Sequence, residues 1–84
     1  MSNNQKNSEP ISSPRLLLAL QSLSRILGRS MVDMLIADLE RQGITLHGDA
    51  KYPMKQVERA LTATFGSEGG VLLAEKLRRS LDLQ

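Results

Sequence analysis

The 84-residue chain contains no cysteine, no tryptophan and only one histidine. Without cysteine it can form neither a disulfide framework nor a thiolate metal site, and one histidine cannot assemble a metal cage by itself. A chain this short also buries a modest core, so its stability must come from packed apolar helix faces or from burial against a second copy. We therefore expect no metal and no cofactor, and we expect a homo-oligomer.

Long apolar runs and aromatic residues are also scarce. No segment approaches the ~20 apolar residues of a membrane span, and the N-terminal stretch lacks the apolar core of a signal peptide, so we expect a cytoplasmic protein with no membrane partner. One Tyr and one Phe give no aromatic interleaving for binding single-stranded nucleic acid. The net charge is only +2 despite a sequence pI of about 9.4, which permits weak attraction to nucleic acid without requiring it.

The first thirteen residues are predicted to be a disordered tail. They are rich in Asn and Ser, and Ile11 is their only apolar residue after the initiator Met1, so they cannot offset the entropy lost on ordering. Ser13 followed by Pro14 is typical of a helix start, because a serine oxygen caps free amides and proline is tolerated at the first helical position. We therefore place the tail at residues 1–13 and one helical domain at residues 14–84.

Helical periodicity and glycine stops divide the rest of the chain into four segments. Apolar residues recur at the spacing of one helix face in each segment, and Gly28, Gly43 and Gly66 follow the first three. The predicted helices cover residues 14–27, 31–42, 53–65 and about 67–83. The sequence therefore predicts an all-α fold, a compact four-helix domain made of two helical hairpins with a disordered N-terminal tail.

The apolar faces of these helices predict the core. Its expected members are Leu16, Ala19, Leu20, Leu23, Ile26 and Leu27, then Met31, Val32, Leu35, Ile36 and Leu39, then Met54, Val57, Leu61 and Phe65, and finally Gly70, Leu73, Ala74, Leu77 and Leu81. Residues 43–52 are interpreted as a loop that tucks Ile44 and Leu46 over the core edge. Gly69 and Gly70 each cost roughly 1 kcal/mol of helix propensity relative to alanine, which indicates that another helix passes close to them.

No catalytic motif emerges from the remaining polar residues. The GSEGG run at residues 66–70 opens a helix but lacks the phosphate-binding spacing, and it places Glu68 where an anion would sit. His47 has no nucleophile or acid at a recognisable spacing. Glu58, Glu75 and Asp82 fall on polar helix faces beside Arg or Lys and are interpreted as solvated charge pairs. We therefore expect a protein that is not an enzyme.

Basic residues offer one functional alternative. Arg15, Arg25 and Arg29 belong to the first predicted helix and its end, and Lys51, Lys55 and Arg59 lie on or just before the third. If these helices are neighbours, the six charges form one stripe that suits duplex binding. The second predicted helix has a net acidic outer face, which argues against a helix-turn-helix reader. The charged residues assigned to this outer face are Asp33, Asp38, Glu40 and Arg41.

Apolar residues outside the core faces indicate the other possible function, which is binding to a protein. This set consists of Leu18, Met34, Val71, Leu72 and Leu83. Several apolar residues on one outer surface mark an interface, and a short chain gains most from added burial. We therefore predict self-association or binding of a protein partner through these residues.

The order of motifs resembles that of a known group of domains. The chain carries LGRSMVDMLIADLERQGITL at residues 27–46, then Tyr52, VERAL at 57–61 and FGSEGGVLLAEKL at 65–77. This progression is similar to that of small archaeal helical domains of the Nitrosopumilus output domain type. The resemblance covers about residues 20–81 and implies an output or accessory module of prokaryotic signalling or transcriptional control, with no catalytic residues to carry over.

Together these patterns predict a non-enzymatic regulatory or adaptor module. It would act through protein–protein interaction and would form a homodimer. The alternative is a small DNA-binding protein that uses the basic residues of the first and third predicted helices.

Overall fold

The computed structural model describes residues 9–82 and is predominantly helical, with 76% of these residues in helices. In order, the elements are β1 (Ile11–Ser12), α1 (Ser13–Ser22), α2 (Ser24–Leu27), α3 (Arg29–Arg41), β2 (Lys51–Tyr52) and α4 (Met54–Asp82). The prediction of a helical fold is thus confirmed. The arrangement adds a short strand pair and divides the helices differently from the sequence prediction.

The N-terminal part of the fold begins earlier than the sequence suggested. β1 pairs antiparallel with β2, so that Ile11 lies opposite Tyr52, and Ile11 is only 4% exposed. The N-cap of α1 is Ser12, whose hydroxyl accepts from the Arg15 amide at 3.4 Å, whereas the sequence assigned this role to Ser13. Of the predicted tail, residues 1–8 lie outside the described residues, and Ile11 to Ser13 belong to the folded domain.

Ser13 instead ties the start of α1 to the loop between α3 and β2. Its amide donates to the Ala50 carbonyl at 2.9 Å and its hydroxyl donates to the Thr45 carbonyl at 2.7 Å. The sequence did not predict that Ile11 pairs with Tyr52, because two-residue strands about forty positions apart leave no periodic pattern. Within the predicted loop of residues 43–52, Ile44 and Leu46 are both 1% exposed, as predicted, whereas Lys51 and Tyr52 form β2 instead of loop.

The predicted first helix is interrupted at one residue. α1 ends at Ser22, and the Leu23 amide bonds to the Leu20 carbonyl three positions back at 3.0 Å. α2 then runs from Ser24 to Leu27 and ends at Gly28. The chain passes from Gly28 directly into α3, which begins at Arg29.

A second glycine corner bends α4 at Gly66. Gly66 has φ 84° and ψ 168°, close to the φ 89° and ψ 154° of Gly28, and this backbone region is essentially restricted to glycine. Because one residue makes the corner, no loop separates the predicted third and fourth helices, and they form the two halves of α4. Glu58 in the first half pairs with Arg78 in the second, so the halves fold back on each other.

The core lies between these helices and contains most of the predicted apolar faces. The best-buried large side chains are Leu16, Leu20, Leu35, Leu39, Ile44, Leu46, Leu61 and Leu77. The two halves of α4 approach most closely where Gly70 faces Thr62. A Cβ on Gly70 would lie 2.5 Å from Thr62 Cα, which confirms the predicted close helix contact at this residue.

Candidate protein-binding groove

A groove of about 750 Å³ lies between the α1–α2 segment and the second half of α4. Its apolar lining consists of Leu18, Leu23 and Ile26, and its cationic lining consists of Arg25, Lys76 and Arg79. Gln21, Ser22, Ser24 and Ser80 complete the walls. This depression, called the α1–α4 groove below, combines an apolar floor with a rim of positive charge.

Two polar contacts position the walls of the groove. The Ser80 hydroxyl donates to the Ala19 carbonyl at 3.0 Å, and the Arg15 guanidinium donates to the Leu81 carbonyl at 3.3 Å. These contacts hold α1 against the last turns of α4. Leu18 therefore faces outward beside the contact, and it is 58% exposed.

The cations of the groove have no carboxylate partner in the part of the chain that the structure describes. The ion pairs between residues 9 and 82 join Arg41 to Asp38 and Arg78 to Glu58, and His47 lies near Glu40. Arg25, Lys76 and Arg79 take part in none of these pairs, and no acidic residue lines the groove. The groove therefore carries net positive charge directly beside exposed apolar surface.

No family model, curated protein or solved structure matches this chain. The groove is therefore interpreted from its own residues. Among residues 9–82, no helix is long and apolar enough to span a membrane.

Ile26 was predicted to belong to the core, and this prediction is wrong. Its side chain is 67% exposed and lines the groove. Ile26 lies at the edge of the apolar stripe, in the last turn before the chain bends at Gly28. A helical stripe indicates which side a residue takes but not how far the neighbouring helix extends over it. The periodicity therefore missed the most exposed apolar residue of the groove.

The predicted apolar interface residues do not all lie together. Leu18, Met34, Val71 and Leu72 are exposed, as expected, but of these only Leu18 lines the groove. Leu72 lies one helical turn before Lys76 and so extends the same side of α4. Met34 projects from α3, and Leu83 lies outside the described residues.

The predicted basic residues fall into different surroundings. Arg25 lines the groove, Arg29 lines a second depression together with Asp33, and Arg15 lines a third together with Glu9 and Asp82. Lys55 and Arg59 are exposed one turn apart on the first half of α4, and Lys51 is exposed on β2. Arg25 thus shares its depression with Lys76 and Arg79, which were not in the predicted set.

The candidates weighed for catalysis do not form a site within residues 9–82. His47 Nδ1 lies 3.6 Å from Glu40 Oε2 at the surface, with 72% of the His47 side chain exposed. Glu58 is paired with Arg78, as the charge-pair interpretation expected. The described residues also contain no group of three or more His, Asp or Glu side chains that could hold a metal ion.

The main buried polar group is Asp38, which joins α3 to α4. The Thr64 hydroxyl donates to Asp38 Oδ2 at 2.7 Å, the Gln42 amide donates to the same oxygen at 3.0 Å, and Arg41 donates to Oδ1 at 3.1 Å. Burial opposes ionisation of this carboxyl, but the hydrogen bonds from Thr64, Arg41 and Gln42, with the charge of Arg41, outweigh burial and lower its pKa below the ordinary 3.8. Both carboxylate oxygens of Asp38 thus accept hydrogen bonds within the fold, which makes Asp38 a structural residue.

Proposed function

We propose that this chain is a non-enzymatic regulatory or adaptor module that binds protein through the α1–α4 groove, and that it works as a homodimer. The observation that carries the proposal is the exposure of Leu18 and Ile26 beside cations with no intrachain carboxylate partner in residues 9–82. Exposed apolar groups framed by charge are typical of docking surfaces, where apolar anchors supply affinity and charge selects the partner.

The dimensions of the groove suit a helix. Leu18 and Ile26 are eight positions apart along α1 and α2, which corresponds to roughly 12 Å of helix rise. A two- to three-turn amphipathic helix presents apolar anchors over this length at positions i, i+3 or i+4 and i+7. The cations favour a segment that carries carboxylates beside its apolar anchors.

The cellular role follows from the resemblance to archaeal output domains. We propose an accessory role in prokaryotic signalling or transcriptional control in the cytoplasm. The resemblance and the absence of a recognisable catalytic constellation in the sequence support this role.

A photocrosslinking amino acid at position 26 tests the groove in the cells that carry the gene. We expect a covalent adduct with a polypeptide, identified by mass spectrometry, because a side chain at position 26 lies on the exposed groove floor. Position 37, an exposed alanine on α3, supplies the matched control and should give little adduct. The adduct should also disappear when Lys76→Glu and Arg79→Glu reverse the rim charge. If the photocrosslinking amino acid at position 26 formed no adduct with a polypeptide, protein binding at the groove would be excluded.

Duplex DNA binding is the second candidate, favoured by the exposure of Lys51 on β2 and of Lys55 and Arg59, which lie one turn apart on α4. A fluorescence titration against duplex at several salt concentrations separates the two proposals. Six phosphate contacts would give a slope of about −5 in log affinity against log salt. The protein-binding proposal expects no complex even at low salt. A steep salt-dependent complex that weakens in Lys55→Glu would support DNA binding instead.

A further inference from the structure

The outer face of the second half of α4 carries an ordered charge pattern. Gly70, Leu73, Ala74 and Leu77 are buried on the opposite side of this helix. The exposed side presents, in chain order, Glu68, Leu72, Glu75, Lys76 and Arg79. Along this face Glu68 and Glu75 therefore precede Lys76 and Arg79, and Leu72, at 58% exposed, lies between the two carboxylates.

Such a face is complementary to itself when two copies run antiparallel. A two-fold axis near the middle of the segment brings Glu68 of each copy opposite Arg79 of the other, and it brings the two copies of Leu72 close to the axis. Glu68 and Arg79 are eleven positions apart, so the paired region spans roughly 16 Å, or three helical turns. The arrangement is closed, because each pairing occurs twice and the same surface is used on both protomers.

The α1–α4 groove lies beside this face and shares residues with it. Lys76 and Arg79 line the groove and also belong to the outer face of α4. In the antiparallel pair, Leu72 of one copy lies level with Glu75 of the other, one position before Lys76, which lines the groove together with Ile26. The second copy thus supplies both an apolar anchor for Ile26 and a carboxylate for Arg79.

Other helical surfaces of the chain fit the groove less well. The exposed side of α3 carries Arg29 and Arg41 as well as Asp33 and Glu40, so its charges cancel. The first half of α4 exposes Lys55 and Arg59, which the groove cations would repel. The exposed side of α3 also carries Met34 beside Asp33. Its cations lie at both ends, Arg29 and Arg41, so an antiparallel copy would place like charges opposite one another, and the carboxylate-to-cation order of α4 is absent.

We propose that the α1–α4 groove is occupied by the second half of α4 from a second copy of this chain, in an antiparallel homodimer. Glu68 of each protomer pairs with Arg79 of the other, and Leu72 is buried over Ile26. This inference rests on the proposed function, since it names the protein that the groove binds. Regulation would then act on a surface that dimerisation covers, and a competing partner would have to match the same acidic and apolar pattern.

Charge reversal tests the pairing. Sedimentation equilibrium of the full chain at micromolar concentration is expected to show a dimer. Arg79→Glu and Glu68→Arg should each raise the dimer dissociation constant about 10-fold or more, because each places like charges opposite one another. The double variant Glu68→Arg/Arg79→Glu should recover most of the wild-type affinity, since the pairs are restored with exchanged signs. A merely local effect on folding would not give this rescue.

Leu72→Glu should raise the dissociation constant at least about 30-fold, the effect of losing a central anchor. Ala37→Glu on the exposed side of α3 is the matched control and should leave the dimer unchanged. Circular dichroism of each variant verifies that the helices are retained.

Three results would overturn the inference: a monomeric wild-type chain, a double charge reversal no tighter than the single variants, or a dimer that tolerates Leu72→Glu. The photocrosslink at position 26 then tests the broader proposal that the α1–α4 groove binds a protein. A monomer that crosslinks a different polypeptide at position 26 would retain protein binding at the groove while excluding the homodimer. A monomer with no polypeptide adduct would exclude both.

Discussion

Gly70→Ala is expected to lower the free energy of unfolding by about 3 kcal/mol, at the upper end of the range for overpacked cores. A Cβ at this position would lie 2.5 Å from Thr62 Cα, 2.6 Å from Thr62 Cγ2 and 2.7 Å from Thr62 N. Two of these atoms belong to the backbone, so rotation of a side chain cannot relieve the clash. The halves of α4 would have to move apart, which loosens the packing of Leu61 and Leu77 around the contact.

Gly69→Ala is the matched control, because it adds the same methyl group one position earlier in the same helix. A Cβ on Gly69 would meet Phe65 Cβ at 3.5 Å, an ordinary contact. Alanine is the better helix former, so this variant should gain about 0.5–1 kcal/mol. Alanine is thus expected to lower the free energy of unfolding at Gly70 and to raise it at Gly69.

Urea unfolding followed by far-ultraviolet circular dichroism measures both effects. The double variant Thr62→Ala/Gly70→Ala should stay destabilised, because truncating Thr62 removes only Cγ2 from the three close atoms. A Gly70→Ala protein as stable as wild type, or one fully rescued by Thr62→Ala, would show that the backbones do not approach as closely as described.

Gly70 also illustrates what the sequence could reveal about the fold. Two glycines early in a helix lower its propensity, and that cost alone indicated a close neighbour. Periodicity placed Gly70 on the predicted core face, but the sequence could not identify Thr62 as its partner, because that depends on how the halves of α4 cross after the corner at Gly66. Periodicity likewise located Leu16, Leu35, Leu61 and Leu77 in the core, since each lies at the centre of its stripe.

The errors arose where tertiary contacts override local pattern. Ile11 looked like an isolated apolar residue in a polar tail, yet pairing with Tyr52 buries it. Ile26 looked like a core residue, yet the helix corner leaves it uncovered in the groove. The cationic rim was only partly foreseen, because Arg25 meets Lys76 and Arg79 through packing between distant parts of the chain.

Asp38 was assigned to the outer, solvated face of its helix, and the structure corrects this, with only 7% of the side chain exposed. The position of Asp38 along α3 is consistent with the polar edge of that helix. The acceptor role depends on Thr64, which lies 26 positions away on α4. Gln42 reinforces the link, since its amide also lies 2.9 Å from the Ala60 carbonyl. A lone carboxylate in a helix gives no sequence signal for such a cross-helix network.

Asp38→Ala is expected to lower the free energy of unfolding by about 1–2 kcal/mol, because it removes the acceptor that the Thr64 hydroxyl and the Gln42 amide share between α3 and α4. Asp33→Ala is the matched control, since it removes an exposed carboxylate from the same helix and should change stability by less than about 0.5 kcal/mol. Urea unfolding near neutral pH measures both. Equal effects of the two substitutions would exclude the buried network.

The pH dependence isolates the ionised form of Asp38. Its folded pKa lies below the ordinary 3.8, so its contribution to stability is complete above that value and is lost as the pH falls below it towards the folded pKa. Asp38→Asn keeps the shape of the side chain but cannot titrate. The stability difference between wild type and Asp38→Asn should therefore be constant above pH 3.8 and shrink below it. Carboxyl groups elsewhere titrate in both proteins and cancel in the comparison. A difference that stays constant into strong acid would mean that the Thr64, Gln42 and Arg41 donors do not depend on a charged acceptor.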